Sequence, residues 1–129
     1  MHTKKIITIA VVIIALAGGI YWLALESQPK VPSPDQPLEM LAACLKDKRA
    51  VFYGTFWCTH CQATKALFGS GAKFLPYVEC STVNGKGQLT VCKDKGITGY
   101  PTWVFADGSR ESGELSLERL AEKTGCQWQ

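Results

Sequence analysis

The sequence has little net charge, few histidines and no tract of a single residue type. Its net charge is +3, and from Leu38 onward eleven basic residues are balanced by nine acidic ones, so we expect no basic surface of the kind that binds nucleic acid. Only two histidines occur, and only one pair of cysteines has a spacing of two residues. A structural zinc site needs four ligands. Together with the lack of internal repeats, these absences disfavour nucleic-acid binding, a resident metal and a repeat architecture.

The N-terminal part lacks charge over the twenty residues 6–25, which is long enough for one helix to cross a bilayer. Lys4 and Lys5 precede this run, and the positive-inside rule keeps residues 1–5 in the cytoplasm and places the rest of the chain outside it. The alternative is a cleaved signal sequence, because Ala15-Leu16-Ala17 resembles a cleavage site. Both interpretations predict export of the remaining chain.

A linker and one small domain follow. Residues 26–37 contain four prolines among polar residues, a composition typical of a semi-rigid spacer. Residues 38–129 suffice for a single core. Six cysteines in so short a chain are typical of exported proteins, which use disulfides for stability.

Hydrophobic periodicity predicts an α/β domain in which helices and strands alternate. We expect a final helix capped by Ser116 and closed by Gly125. Phe56, Phe74 and Trp103 are expected in the core. The other predicted elements are a helix through residues 38–45, a strand over 50–56, a helix over 62–68, a strand over 74–80, a short helix over 89–95 and a hairpin of strands 102–106 and 110–115.

The most informative motif is Cys58-Thr59-His60-Cys61, which lies where the first strand gives way to a helix. Unpaired backbone N–H groups and the helix dipole stabilise a thiolate at a helix N-terminus. We therefore expect Cys58 to be the exposed attacking thiol and Cys61 to be the shielded resolving thiol of a redox-active pair. Zinc binding by the two cysteines together with His60 or another cysteine pair is the main chemical alternative.

Two neighbours of the cysteines have both a functional and a neutral interpretation. His60 is either a solvated residue of the turn or an electrostatic tuner of Cys58, since a cationic imidazole near a thiolate favours the reduced form. Trp57 either packs at the rim of the site or contacts the substrate.

The other four cysteines suggest covalent support. Cys80 and Cys92 can form a structural disulfide across a short loop; a second redox pair that exchanges with Cys58 and Cys61, or unpaired thiols, are the alternatives. Cys44 and Cys126 could pair by elimination.

The order of elements, with the dithiol after the first strand and Gly99-Tyr100-Pro101-Thr102 before the hairpin, resembles the thioredoxin fold. The resemblance implies a central mixed β-sheet flanked by helices. It also implies that Pro101 follows a cis bond and faces the dithiol beside Tyr100, leaving backbone groups free to pair with an extended substrate.

A closer resemblance is to the thioredoxin-like domain that accompanies bacterial and plastid homologues of vitamin K epoxide reductase. It implies a membrane-tethered protein of the cell or thylakoid membrane, with a cytoplasmic or stromal N-terminus and a periplasmic, extracellular or luminal domain. Such a domain binds no cofactor; its redox-active disulfide oxidises thiols of exported proteins, and the membrane partner reoxidises it and passes the electrons to a quinone. The matching segments are 52–54, 57–62, 67–69, 76–80 and 96–103.

Two differences from related proteins concern the redox potential and the direction of electron flow. Thr59 stands where proline is common in the family. Phe52 stands where thioredoxin itself has a buried aspartate that helps to deprotonate the resolving thiol, and its absence weakens a general reductase role. The resemblance therefore favours a thiol–disulfide oxidase; the alternatives are a membrane-tethered reductase or isomerase, and a non-catalytic docking module of the same fold.

Overall fold

The computed structural model describes residues 2–26 and 36–128. Most of the predicted linker, residues 27–35, lies outside the described residues. The chain divides into two units, residues 1–32 and 33–129. The elements are α1 (His2–Glu26), α2 (Gln36–Asp47), β1 (Val51–Gly54), α3 (Thr59–Leu67), a 3₁₀ helix (Gly69–Phe74), β2 (Tyr77–Glu79), α4 (Thr90–Asp94), β3 (Thr102–Val104), β4 (Arg110–Ser112) and α5 (Leu117–Thr124).

The N-terminal unit contains helix α1, whose side chains are described at residues 6, 7 and 12–22. Among the residues that are described, no helix is long and apolar enough to cross a membrane. The membrane helix expected over residues 6–25 stays a prediction.

The second unit is built on a four-stranded mixed sheet with the strand order β2-β1-β3-β4. Strands β1 and β2 are parallel, whereas β3 is antiparallel to both β1 and β4. Because successive residues of a strand point to opposite faces, Phe52 and Tyr53 belong to two different buried clusters. This mixed sheet with helices on its faces is the predicted fold class.

The larger cluster lies between the sheet and helices α2, α3 and α5. Phe52 stacks on Trp103 with ring centroids 4.8 Å apart, and Leu41, Leu45 and Leu120 are fully buried around them. The smaller cluster, on the other face, contains Tyr53, Cys80, Cys92 and Ile97.

Two disulfides connect elements of this unit. Cys80 at the end of β2 is bonded to Cys92 in α4, with Cα atoms 5.6 Å apart and both residues fully buried. Cys44 in the last turns of α2 is bonded to Cys126 after α5, with a Cα separation of 6.0 Å. The second disulfide joins the two helices whose leucines cover the larger cluster.

The strands are shorter than the sequence predicts, and the predicted burial is wrong for two of the three aromatic residues expected in the core. β1 ends at Gly54, so Phe56 lies in the following loop and is 49% exposed. Phe74 ends the 3₁₀ helix that Gly69 begins with a φ of 49°, and it is 42% exposed. Only Trp103 is buried as expected.

Candidate active site

Cys58 and Cys61 lie at the beginning of α3, immediately after the loop that leaves β1. Cys58 is the N-cap residue of this helix, and its sulfur accepts a hydrogen bond from the backbone N–H of Cys61 at 3.2 Å. Both residues are free thiols. A cysteine at this position receives the positive end of the helix dipole and an otherwise unpaired N–H donor, which together stabilise a thiolate.

The two thiols differ in exposure and in acidity. Cys58 is 7% exposed and Cys61 is fully buried, so the attacking thiol predicted as exposed presents only a small edge to solvent. Burial raises the pKa of Cys61 to about 12, and its hydrogen bond with Cys58 acts in the same direction. In the dithiol form Cys61 is therefore protonated at neutral pH, and this holds until disulfide exchange at Cys58 changes the surroundings of the Cys61 thiol.

Tyr100 and Pro101 belong to the segment before β3, and the Tyr100 backbone borders Cys58. The Tyr100–Pro101 bond is cis, as the resemblance implies. The Cys58 thiol lies 3.7 Å from the carbonyl oxygen of Tyr100, to which it donates a weak hydrogen bond. The Tyr100 ring meets the Trp57 ring edge to face, with centroids 6.1 Å apart. The structure thus brings together Trp57, Cys58, Tyr100 and Pro101 from distant parts of the sequence.

Thr59 and His60 lie on the exposed side of the first turn of α3. The Nδ1 atom of His60 is 2.6 Å from Oε1 of Glu114, in the loop that precedes α5. Glu114 is a partner for His60 that the sequence did not reveal. Thr59 is the first residue of the helix and is exposed. The tuning role of both residues stays a prediction.

The loop between β2 and α4 supports the rim of the site. Ser81 Oγ accepts a hydrogen bond of 2.9 Å from the indole N–H of Trp57, and Gln88 Nε2 donates one of 2.7 Å to the hydroxyl of Tyr100. The Cys80–Cys92 disulfide closes this same loop. Its two fully buried sulfurs are unsuited to exchange with a substrate protein.

Glu79 and Tyr77 are site residues that the sequence analysis did not identify. One carboxylate oxygen of Glu79 accepts hydrogen bonds from the backbone N–H groups of Phe56 at 3.2 Å and Ser81 at 2.8 Å; the other accepts one from the Tyr77 hydroxyl at 2.7 Å. Burial and the neighbouring carboxylate raise the pKa of Tyr77 well above its usual range. The parallel pairing of Gly54 with Glu79 brings this carboxylate to the active-site loop.

Within the residues that the structure describes, no group of three or more histidine, cysteine, aspartate or glutamate side chains is arranged to hold a metal ion.

Comparison with known proteins gives one family and two relatives. The family model described as Thioredoxin matches residues 41–124. Thiol-disulfide oxidoreductase LTO1 of Arabidopsis thaliana is 45% identical over 89 residues, covering 66% of this chain and 23% of the relative. Sulfhydryl oxidase 1 of Gallus gallus is 30% identical over 106 residues, covering 71% of this chain and 14% of the relative. The chain thus spans less than a quarter of either relative's length.

Proposed function

The chain belongs to the thioredoxin family, and from this we propose that it is an extracytoplasmic thiol–disulfide oxidoreductase that oxidises thiols of exported proteins. The observation that carries the proposal is the position of Cys58, which caps α3, accepts a hydrogen bond from Cys61 N–H and lies beside the Tyr100 carbonyl before a cis proline. An extended substrate that pairs with the backbone of Tyr100 brings its sulfur to Cys58.

The reaction is a transfer of two electrons by two disulfide exchanges. A substrate thiolate attacks Cys58 of the Cys58–Cys61 disulfide, and Cys61 leaves as a thiolate that takes up a proton. A second substrate thiolate then attacks the substrate sulfur of the mixed disulfide, and Cys58 leaves. The substrate gains a disulfide and loses two protons and two electrons, while the enzyme ends as the dithiol.

We propose that a membrane protein resembling vitamin K epoxide reductase regenerates the disulfide. It accepts the two electrons from the dithiol and passes them to a quinone. Support comes from the resemblance of segments such as 57–62 and 96–103. The names of the two relatives, a thiol-disulfide oxidoreductase and a sulfhydryl oxidase, agree with exchange chemistry and with oxidation as its direction.

Placement outside the cytoplasm, with a tether in the cell or thylakoid membrane, belongs to the same proposal. Its support is the uncharged run 6–25, the preceding Lys4 and Lys5, and the six cysteines. Carbonate extraction of membranes from cells that make the full chain tests the tether, and protease protection tests the side. A chain released by carbonate, or one with its domain in the cytoplasm, would contradict this part.

The alternative is a tethered reductase or isomerase, and one observation favours it. The Glu114 carboxylate lies 2.6 Å from His60 and offsets the positive charge by which an imidazolium would make the disulfide more oxidising. Phe52, in place of a buried acid, favours the oxidase.

Equilibration of the purified chain against glutathione decides between these directions. We expect a potential clearly less negative than about −270 mV, the value typical of thioredoxin, together with oxidation of a reduced, unfolded protein. A potential near that of thioredoxin would support the reductase. If the dithiol does not exchange with glutathione at all, the result supports the non-catalytic docking module. A reconstituted quinone-linked partner should support repeated turnover, and a Cys58→Ser control should abolish it.

A further inference from the structure

Lys65 lies one helical turn after Cys61 and reaches across to β2. Residues four apart on a helix share a face, so the side chain of Lys65 is on the same side of α3 as the Cys61 thiol. Its Nζ atom lies 3.3 Å from the centroid of the Tyr77 ring. An ammonium group over an aromatic face is held there by the ring quadrupole. The cation therefore has a fixed place over Tyr77, and its residue lies on the face of α3 that carries Cys61.

Gly54 explains why Tyr77 and Cys61 can be neighbours. A Cβ atom at residue 54 would lie 2.9 Å from Cys61 Sγ and 2.9 Å from Cε2 of Tyr77. Both groups thus occupy the space that any other residue's side chain would fill. The Tyr77 ring that holds Lys65 is directly adjacent to the thiol, and its own position is fixed by the hydrogen bond to Glu79 and by an edge contact with Phe52 at 5.2 Å.

We propose that Lys65 is a positioning residue of the dithiol: held over the Tyr77 ring, its ammonium group stabilises the Cys61 thiolate that forms when the mixed disulfide is made or resolved. The proposal rests on the proposed exchange function and adds a residue to it. Thioredoxin has, at the position of Phe52, a buried aspartate that helps to deprotonate the resolving thiol. In this chain Lys65 assists the same thiol, but it does so by stabilising the thiolate rather than by accepting the proton.

The charges around Cys61 agree with this role. Burial raises the pKa of Cys61 and Cys58 raises it further, whereas a hydrogen bond with the Thr55 backbone and, to a smaller extent, the charge of Lys65 lower it. Tyr77 stays protonated because its own pKa is raised by burial and by Glu79, so it adds no negative charge. The titratable and charged groups beside Cys61 are Cys58, the N-cap residue of α3, Lys65 from α3 and Tyr77 from β2.

The step on which Lys65 acts is the same in both directions. In resolution, the Cys61 thiolate attacks Cys58 of the mixed disulfide, the Cys58–Cys61 bond forms, and the bound thiol leaves as a thiolate that takes up a proton. In the reverse step, Cys61 is the leaving group. Stabilising its thiolate accelerates departure and increases the fraction of Cys61 ready to attack.

Oxidised glutathione tests the proposal because it needs no protein partner. The reduced full chain is mixed with it, the reaction is quenched with acid, and mass spectrometry follows the glutathione adduct of Cys58. We expect Lys65→Met to resolve the adduct about 3- to 10-fold more slowly at neutral pH, with a rate profile displaced to higher pH. Lys65→Arg should restore most of the rate, because a guanidinium group keeps the positive charge over the Tyr77 ring.

Lys73→Met is the matched control. Lys73 also lies over an aromatic ring, that of Phe74 at 4.8 Å, and its replacement removes the same charge from the 3₁₀ helix. Equal resolution by Lys65→Met and the unaltered chain, or equal slowing by Lys73→Met, would overturn the proposal. If the chain resolves the adduct in a Lys65-dependent manner but does not oxidise unfolded proteins, this result supports the inference about Lys65 and contradicts the proposed function.

Discussion

The carboxylate of Glu79 accepts a hydrogen bond of 3.2 Å from the backbone N–H of Phe56, two residues before Cys58. The same oxygen accepts the N–H of Ser81, whose hydroxyl in turn accepts the indole N–H of Trp57. One side chain of β2 therefore holds both the loop that enters the active site and the loop that supports its aromatic rim.

Replacement of Glu79 should separate hydrogen bonding from charge. Glu79→Ala leaves two backbone donors and the Tyr77 hydroxyl without this acceptor, so we expect a loss of about 1–3 kcal/mol in the free energy of unfolding. Glu79→Gln keeps an oxygen for the backbone donors and should lose less. Urea unfolding measures both. Glu122→Ala, which removes only an exposed ion pair with Arg119, is the control, and an equal loss in it would contradict the assigned role.

Alkylation should distinguish the two thiols. Cys61 is fully buried and its pKa is raised to about 12, so almost none of it is thiolate at pH 8. We expect iodoacetamide to label the reduced chain once, at Cys58, and Cys61→Ser to trap mixed disulfides with substrates. Peptide mapping identifies the labelled residue. Faster labelling of Cys61 than of Cys58 would reverse the assignment of attacking and resolving thiol.

Stability of the reduced chain should fall in alkaline solution because of Cys61. Its pKa in the folded chain, about 12, lies above the ordinary value of about 8.5 for a free thiol. The folded state therefore holds this proton more tightly, and the stabilisation is complete below about pH 8.5 and is lost as the pH rises toward 12. Between pH 8 and 10, urea unfolding should show a steeper decline for the unaltered reduced chain than for Cys61→Ala. Parallel declines would argue against the raised pKa.

The two disulfides should contribute to stability without carrying the redox chemistry. Loss of Cys80–Cys92, which spans 12 residues, should cost about 3 kcal/mol, and loss of Cys44–Cys126, which spans 82, about 4–5 kcal/mol. Paired serine variants and thermal unfolding test this order. Exchange at Cys58 should persist in both. An undiminished stability with lost turnover in the Cys80/Cys92 variant would instead indicate a second redox pair.

Local sequence signals predict the helices and the order of elements well, because these depend on residues close in the chain. Ser116 caps α5 by accepting the N–H of Arg119, and Gly125 ends it with a φ of 71°, as expected. The 3₁₀ helix was missed because nothing in residues 69–74 has a helical period. Alternation suggested that Phe56 belongs to a strand, but the chain leaves the sheet at Gly54.

The site could be predicted only in part. Cys58 and Cys61 carry a spacing that indicates their chemistry, and the segment around Pro101 is marked by its resemblance to a known fold. No local motif or resemblance identifies Lys65, Glu79 and Glu114 as residues of the site. Their roles depend on the pairing of β1 with β2 and on the approach of the loop before α5 to α3, and these long-range contacts cannot be obtained from a local pattern.

His60 and Glu114 should shift the redox potential in opposite directions. A positive charge near the start of α3 stabilises the Cys58 thiolate and hence the reduced form, which makes the disulfide more oxidising. Glu114 brings a negative charge to the same place, 2.6 Å from His60 Nδ1. We therefore expect His60→Ala to make the potential more negative and Glu114→Gln to make it less negative, each by about 10–30 mV, where about 30 mV is a tenfold change in the exchange equilibrium.

Equilibration with glutathione measures these shifts, and Glu118→Gln is the matched control because it removes the same charge from an exposed position four residues further along the chain. The effect should weaken at high salt, since the side chains of His60 and Glu114 are 68% and 43% exposed and their field is screened. Equal shifts in Glu114→Gln and Glu118→Gln would mean that net charge alone is responsible. An unchanged potential in His60→Ala would make His60 a solvated residue of the turn and leave the dithiol's potential to the helix N-terminus and to Lys65.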